Sequence, residues 1–249
     1  MCGIVAFYDP KINEKQAVIG KMMATIKHRG PSSDGYYTND EVALGFRRLS
    51  IIDLRGGTQP IYNEDKTLVI VFNGEIYNYQ DIKKELLAAG HIFKTETDSE
   101  VLVHGYEEYG TDLLQKLRGM FSFVIWDDRK KELFGARDFF GIKPMYYAQM
   151  NGSFLFGSEI KAFLPHPDFK KELNTDALEQ YLTFQYSPTE DTFFKGVKKL
   201  PAAHYFRWKN GKLTVQRYWD IRFEADEAPL LGDWVKTISA TFQDSVRAH

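Results

Sequence analysis

The chain is poor in cysteine: Cys2 is the single one among 249 residues. An internal disulfide and a cysteine-built zinc site are therefore excluded. Long apolar runs are lacking as well. The longest, such as Leu68 to Phe72 and Phe121 to Trp126, fall far short of the roughly 20 residues that a membrane-spanning helix needs. There is no excess of one charge: 32 Lys and Arg face 34 Asp and Glu, and no basic block stands out, which argues against a nucleic-acid partner. The N-terminus has neither the basic nor the apolar region of a signal peptide, and no repeat or low-complexity tract interrupts the chain. These absences point to a soluble, cytoplasmic protein with no membrane partner. What is present is 43% hydrophobic and 15% aromatic residues, enough for a sizeable core.

Short apolar, β-prone runs recur along the chain. Strands are expected at Gly3 to Tyr8, Val42 to Phe46, Ser50 to Ile52, Leu68 to Phe72, Met120 to Trp126 and Glu132 to Ala136. Further strands are expected at Met145 to Gln149, Ser153 to Phe156, His204 to Trp208 and Lys212 to Tyr218. Asn151-Gly152 and Asn210-Gly211 suit type I′ hairpin turns. Helical spacing appears at Lys15 to Ile26, at Gln80 to Ala89 before Gly90, and at Ser99 to Tyr109 before Gly110. It appears again at Asp176 to Tyr186 behind Thr175 as N-cap, and at Leu231 to Val246. Antiparallel strands with helices between them imply an α+β layered domain over residues 1–219. Residues 220–249 read as an acidic linker followed by a helix whose stripe of Trp234, Ile238, Phe242 and Val246 suits packing against a further domain.

Position 2 makes the lone cysteine chemically interesting. Removal of Met1, favoured by a small second residue, would leave a thiol and a free α-amine on Cys2. The thiolate is the nucleophile, and a free cysteine has a pKa of about 8.5. The α-amine, at roughly 7.7–8.0, is well placed to act as its base. Thiolate attack on a carboxamide creates an oxyanion that needs preset donors. Asn73-Gly74 offers a side-chain amide and a backbone N–H, although the dipeptide alone also reads as a turn. A bound amino acid further needs a cation for its carboxylate and an anion for its ammonium. Arg29, Arg47, Arg48, Arg118 and Arg137 are candidates for the first; Glu75, Asp98 and Asp138 for the second. Spacing does not choose among them. The six histidines show no metal-ligand spacing, and His28 and His104 read as packing or capping residues, so no metal is expected.

Met1-Cys2-Gly3-Ile4 resembles the start of class II glutamine amidotransferases, which are N-terminal-nucleophile hydrolases. In the family's order follow His28-Arg29-Gly30-Pro31, Arg48-Leu49-Ser50-Ile51-Ile52-Asp53, Asn73-Gly74-Glu75-Ile76-Tyr77-Asn78 and Thr97-Asp98-Ser99-Glu100. Arg118-Gly119-Met120-Phe121, Ala136-Arg137-Asp138, Gly141-Ile142-Lys143-Pro144 and Ser158-Glu159-Ile160-Lys161 complete the series. Within the class, the segments Asn73–Asn78 and Gly141–Pro144 are most similar to the glutaminase half of glutamine-hydrolysing asparagine synthetase B. The resemblance implies a four-layer αββα sandwich of two antiparallel sheets flanked by helices, with hydrolysis of L-glutamine to glutamate and ammonia through a Cys2 thioester. It implies Cys2 as nucleophile and Asn73 and Gly74 as oxyanion donors. Arg48 would hold the glutamine carboxylate, with Leu49, Ser50, Ile51 and Ile52 lining the pocket. Glu75 and Asp98 would hold the ammonium.

Two departures stand out. Ser32 follows the His-Arg-Gly-Pro where the family usually has Asp, with little effect expected. The Ser-Gly-Gly-x-Asp-Ser phosphate loop of asparagine synthetases is absent from these residues. ATP and Mg2+ are thus expected only on a synthetase domain not contained here, the chain itself needs no cofactor, and it should make ammonia but not asparagine. The resemblance leaves a homodimer open, and so also the same domain serving a cell-surface sugar or antibiotic pathway. Conjugated-amide acylases that also begin Met-Cys should lack the Asn73–Asn78 and Arg48–Asp53 motifs. A non-catalytic docking module would tolerate Cys2→Ala.

Overall fold

The computed structural model describes residues 1–50, 57–224 and 230–249. The first half runs β1 (Gly3–Tyr8), α1 (Lys15–Thr25), β2 (Ser33–Thr38), β3 (Val42–Arg48), β4 (Ile61–Tyr62), β5 (Leu68–Ile76), α2 (Tyr79–Ala88), α3 (Glu100–Tyr109) and α4 (Leu113–Lys116). The second runs β6 (Gly119–Asp127), β7 (Glu132–Arg137), β8 (Tyr146–Met150), β9 (Ser153–Gly157), α5 (Thr175–Phe184), β10 (Val197–Lys199), β11 (His204–Lys209), β12 (Lys212–Arg217) and α6 (Leu231–Ala248).

The strands form two six-stranded sheets in the orders β10-β8-β9-β1-β3-β2 and β12-β11-β7-β6-β5-β4. Neighbours pair antiparallel throughout. Because side chains alternate across a strand, each sheet presents two apolar faces. Ile4 and Ala6 of β1, Leu44 and Phe46 of β3, and Val69 and Val71 of β5 point between the sheets. There they meet Trp126, Phe154, Phe156, Phe206 and Trp208, and the Phe154 and Trp208 rings stack at 4.9 Å. Val5, Phe7 and Ala43 point outward under Ile19, Met22 and Met23 of α1. Ile70 and Phe72 point outward on the other side, under Ile82 and Leu86 of α2 and Val101 and Leu102 of α3. Each large side chain fully buried in these layers contributes about 1.5–3 kcal/mol. The result is the expected αββα order of layers.

Both Asn-Gly hairpins form, with φ of 45° and 87° at Asn151-Gly152 and 51° and 73° at Asn210-Gly211. Two expectations need correction, and the turn reading of the Asn73-Gly74 dipeptide falls away. The N-cap of α5 is Asn174, whose side chain accepts from the Ala177 N–H at 3.4 Å, not Thr175, which is already helical. Asn73-Gly74 is no turn but lies inside β5, paired with Ser122 and Phe121 of β6. Ser50 lies outside the strands, and Ile51 and Ile52 of that expected strand fall outside the described residues. The polar edge strand β2 and the short β4 and β10 carry too little apolar signal to be expected from periodicity.

Candidate active site

The inward rows of three strands run on past the apolar core into a polar end. Cys2 continues the row of Ile4 and Ala6, Arg48 that of Leu44 and Phe46, and Asn73 and Glu75 that of Val69 and Val71. These side chains meet in a cavity of about 200 Å3, which Leu49 and Asp98 also line. The sandwich thus ends in a site because the same alternation that builds its core delivers polar residues one step further along each strand.

Cys2 is held at both ends. Its carbonyl accepts from Arg29 Nε at 2.9 Å, and Arg29 in turn pairs with Glu159 at 3.1 Å. Ser158 exchanges hydrogen bonds with the Ile4 backbone, at 3.1 Å from Ile4 N to Oγ and 2.9 Å from Ser158 N to Ile4 O. The His28–Pro31 and Ser158–Lys161 motifs therefore anchor the start of β1. The Cys2 Sγ accepts from the Leu49 N–H at 3.4 Å. Burial pushes the thiol pKa up and Glu75 adds to that, while the Leu49 N–H, the terminal ammonium and Arg48 pull it down.

Asn73 is 1% exposed, and its Nδ2 has no hydrogen-bond acceptor. A buried amide donor left unpaired costs about 1–3 kcal/mol, so its retention at the end of a core row calls for a ligand. Beside it, the outer edge of β5 is capped on either side of Gly74. Phe72 N donates to Gln59 Oε1 at 2.6 Å, and Ile76 N donates to Asp98 Oδ2 at 2.9 Å. The N–H of Gly74 lies on that same edge between them. Glycine is required there for another reason too: a Cβ would stand 2.2 Å from the Met120 carbonyl oxygen of β6.

The charged residues sort themselves by position. Arg48 is buried and lines the cavity. Arg47, on the opposite face, donates to the Met23 carbonyl at 3.2 Å and pairs with Asp34. Arg118 pairs with Asp244 of α6 at 2.7 Å. Arg137 donates to the carbonyls of Gly141, Lys143 and Leu200, and Asp138 accepts from the N–H groups of Phe140, Ile142 and Lys143. That clamp sets Lys143 on the wall of the cavity, a role its motif signalled only as part of a family pattern. Burial raises the pKa of Asp98 to about 7, with Glu75 adding to the rise and the Ile76 N–H opposing it. Burial also raises that of Glu75, against the pull of Lys143. Two desolvated carboxylates in one cavity favour a cation between them.

Ser50 is not among the residues lining the cavity, and its N–H points to Ser32 Oγ at 3.4 Å. Ser32 N also donates to the Arg48 carbonyl at 3.0 Å, so the residue that departs from the family pattern supports the segment bearing Arg48 and Leu49. Gly30 lets this happen: a Cβ there would lie 2.3 Å from the Arg47 carbonyl carbon. Ile51 and Ile52 lie outside the described residues. Gln59, Thr97 and Ser99 also border the cavity; of these, Gln59 holds both the N–H and the carbonyl of Phe72, and no sequence motif marked it.

The sequence profile described as "Glutamine amidotransferase domain" matches residues 1–219. The chain belongs to this family. Asparagine synthetase [glutamine-hydrolyzing] 1 of Bacillus subtilis (strain 168) is 40% identical over 257 residues, covering 100% of this chain and 40% of that protein. Asparagine synthetase [glutamine-hydrolyzing] 3 of the same organism is 39% identical over 253 residues, covering 99% and 41%. The chain thus spans about two fifths of the length of these curated relatives. Among solved structures, the glutamine phosphoribosylpyrophosphate amidotransferase from B. subtilis superposes with a TM-score of 0.65 at 17% identity, over 88% of this chain and 49% of that one. At that identity the likeness is one of fold. Among the described residues no helix is long and apolar enough to cross a membrane.

Proposed function

We propose that this amidotransferase domain hydrolyses L-glutamine to glutamate and ammonia, with Cys2 as nucleophile. The observation that carries the reading is the buried, unpartnered Asn73 amide beside Cys2 in a cavity that also holds Arg48, Glu75 and Asp98. That set matches the three demands of free glutamine: a donor for a developing oxyanion, a cation for the α-carboxylate, and anions for the α-ammonium.

The α-amine of Cys2, freed by removal of Met1, takes the thiol proton. The thiolate attacks the carboxamide carbon, and the charge that develops on oxygen is met by Asn73 Nδ2 and the Gly74 N–H. The tetrahedral adduct collapses to a Cys2 thioester as the proton passes from the amine to the departing ammonia. Water, deprotonated by the same amine, then cleaves the thioester to glutamate and regenerates the thiol. Each preset donor is worth roughly 100–1,000-fold in rate. No step calls on a metal or on ATP.

By likeness to its relatives, the ammonia would be consumed in the whole protein by an ATP- and Mg2+-dependent domain that converts aspartate to asparagine in the cytoplasm. The exposed apolar stripe of α6, comprising Trp234, Ile238, Phe242 and Val246, would meet that domain. The test is an assay of the purified chain: equal release of glutamate and ammonia, and labelling of Cys2 by a glutamine analogue with an electrophile at the side-chain carbonyl. Absence of hydrolysis in a chain shown by mass to begin at Cys2 would reject the proposal.

A further inference from the structure

Away from the catalytic cavity, four potential metal-ligand side chains converge on the helical layer. Glu64 follows β4, His91 follows α2, and His104 and Glu107 stand three apart on α3, where that spacing puts them on one face. One ligand atom from each lies within 4.8 Å of all the others. We propose that Glu64, His91, His104 and Glu107 form a structural site for a divalent transition-metal ion, with Zn2+ the best match.

Three observations support this. First, His104 is 1% exposed, and its ring nitrogens face only carboxylates, Glu64 at 3.2 Å from Nδ1 and Glu100 at 3.5 Å from Nε2, neither contact being a well-aligned hydrogen bond. A buried imidazole without a well-aligned hydrogen bond is costly, and a cation bound at Nδ1 removes much of that cost. Second, the spacing suits a tetrahedral ion. Ligand atoms about 2.0–2.1 Å from such an ion stand roughly 3.3 Å apart. His91 Nδ1 lies 3.2 Å from Glu64 Oε1 and His104 Nδ1 3.2 Å from Glu64 Oε2, so the one carboxylate bridges the two imidazoles. The wider gaps close by rotation of glutamate side chains.

Third, each imidazole has a carboxylate behind it. His91 Nε2 is 3.5 Å from Glu108 Oε2, and His104 Nε2 is 3.5 Å from Glu100 Oε1. A metal-bound histidine characteristically directs its second nitrogen to a carboxylate, which fixes the tautomer and raises ligand basicity. Glu100 is itself pinned by the N–H groups of Lys94 and Thr95, both at 2.7 Å. Four carboxylates thus surround two imidazoles, and the one guanidinium paired with them among the described residues is Arg129, at 3.1 Å from Glu107. A divalent cation would neutralise the excess. Imidazole ligands favour zinc over magnesium or calcium. With four protein ligands the site is closed, as in structural rather than catalytic zinc centres. It would tie the β4–β5 turn and the α2–α3 connection, which carries Asp98, to α3. The ligands come from three segments, which is why spacing along the sequence gave no sign of a metal.

The test uses the full chain, untagged and in a Cys2→Ala background so that no thiolate competes for the ion. Equilibrium dialysis against Zn2+ should load about one ion per chain, resistant to excess Mg2+, and raise Tm. The part-exposed ligands supply variants that leave the buried layer intact: His91→Ala and Glu107→Gln should each weaken binding by about 100-fold or more. Their Tm without metal should stay near that of the parent, and the zinc-dependent rise should disappear. Co2+ in place of Zn2+ should give the visible absorption of a tetrahedral complex in the parent and lose it in the variants. If the parent binds no zinc, the cluster is a polar network that holds no metal and the proposal is wrong. Equal binding by the parent and both variants would place the ion elsewhere and overturn it too.

Discussion

Arg47 and Arg48 are neighbours in β3 but serve opposite faces of the sheet: Arg47 donates to the Met23 carbonyl of α1 at 3.2 Å, whereas Arg48 lines the candidate-site cavity beside Cys2. Period-two alternation makes this separation automatic. If Arg48 reads the α-carboxylate, Arg48→Ala should raise KM for glutamine by at least about tenfold, the equivalent of one charge-assisted hydrogen bond of roughly 1.5–3 kcal/mol. Arg47→Ala should leave KM nearly unchanged and instead lower Tm slightly through its lost contact with α1. Steady-state kinetics of the two variants decide between them, and the reverse pattern would refute the assignment.

The thiol of Cys2 is pushed above its ordinary pKa chiefly by burial. With Met1 in place, the nearest amine is an amide and the free terminus stands one residue away. Cys2→Ala should abolish hydrolysis while glutamine still binds. A chain with one residue inserted ahead of Cys2 should fold with unchanged Tm yet hydrolyse glutamine at under about 1% of the normal rate, since general-base assistance is worth roughly 100–10,000-fold. Intact mass paired with the activity assay tests this directly; full activity with a blocked amine would remove the α-amine from the mechanism.

A donor aimed at a developing oxyanion acts in the transition state more than in the ground state. Asn73→Ala should therefore cut kcat by about 100-fold or more with a smaller change in KM. It should also leave Tm unchanged or raised, because the Nδ2 it removes is buried without an acceptor. An effect confined to KM would make Asn73 a binding residue only.

How legible was all this in the sequence? The central strands were, because Gly3 to Tyr8, Leu68 to Phe72 and Met120 to Trp126 carry large apolar residues on both faces of buried sheets. The edge strand β2 was not: Ser33–Thr38 is polar and only partly covered. Asn73-Gly74 carried a turn signal, yet it sits in a strand interior, where the close approach of Met120 demands glycine. The chemistry proposed for Cys2 rests on its position at the start of the chain, which the sequence shows directly. Arginine selection was not, because Arg29, Arg118 and Arg137 are told apart only by what the fold brings to them: the Cys2 carbonyl, Asp244 and three backbone carbonyls. Gln59 was invisible for the same reason, since its partner Phe72 lies on β5 and only the fold brings the two together.

Asp98 offers a test through pH. Its folded pKa is raised to about 7, mainly by burial, from an ordinary value of 3.8. Between those values the folded chain holds a proton that the unfolded chain has released. By linkage, this residue's contribution to stability falls as pH rises through that window, and the penalty is complete above about pH 7. Asp98→Asn keeps an acceptor for the Ile76 N–H and removes the charge. Its Tm should match the parent's at pH 4 and exceed it at pH 8. Substrate binding should run the other way. An ammonium placed between Glu75 and Asp98 stabilises the carboxylate, so KM for glutamine should climb as pH falls below 7, and Asp98→Asn should have a high KM that no longer depends on pH in that range. Thermal melts and KM from pH 5 to 8 on both chains check the two halves together. A variant less stable than the parent at pH 8, or a parent KM that stays flat with pH, would mean that Asp98 is not the buried anion that meets the ammonium.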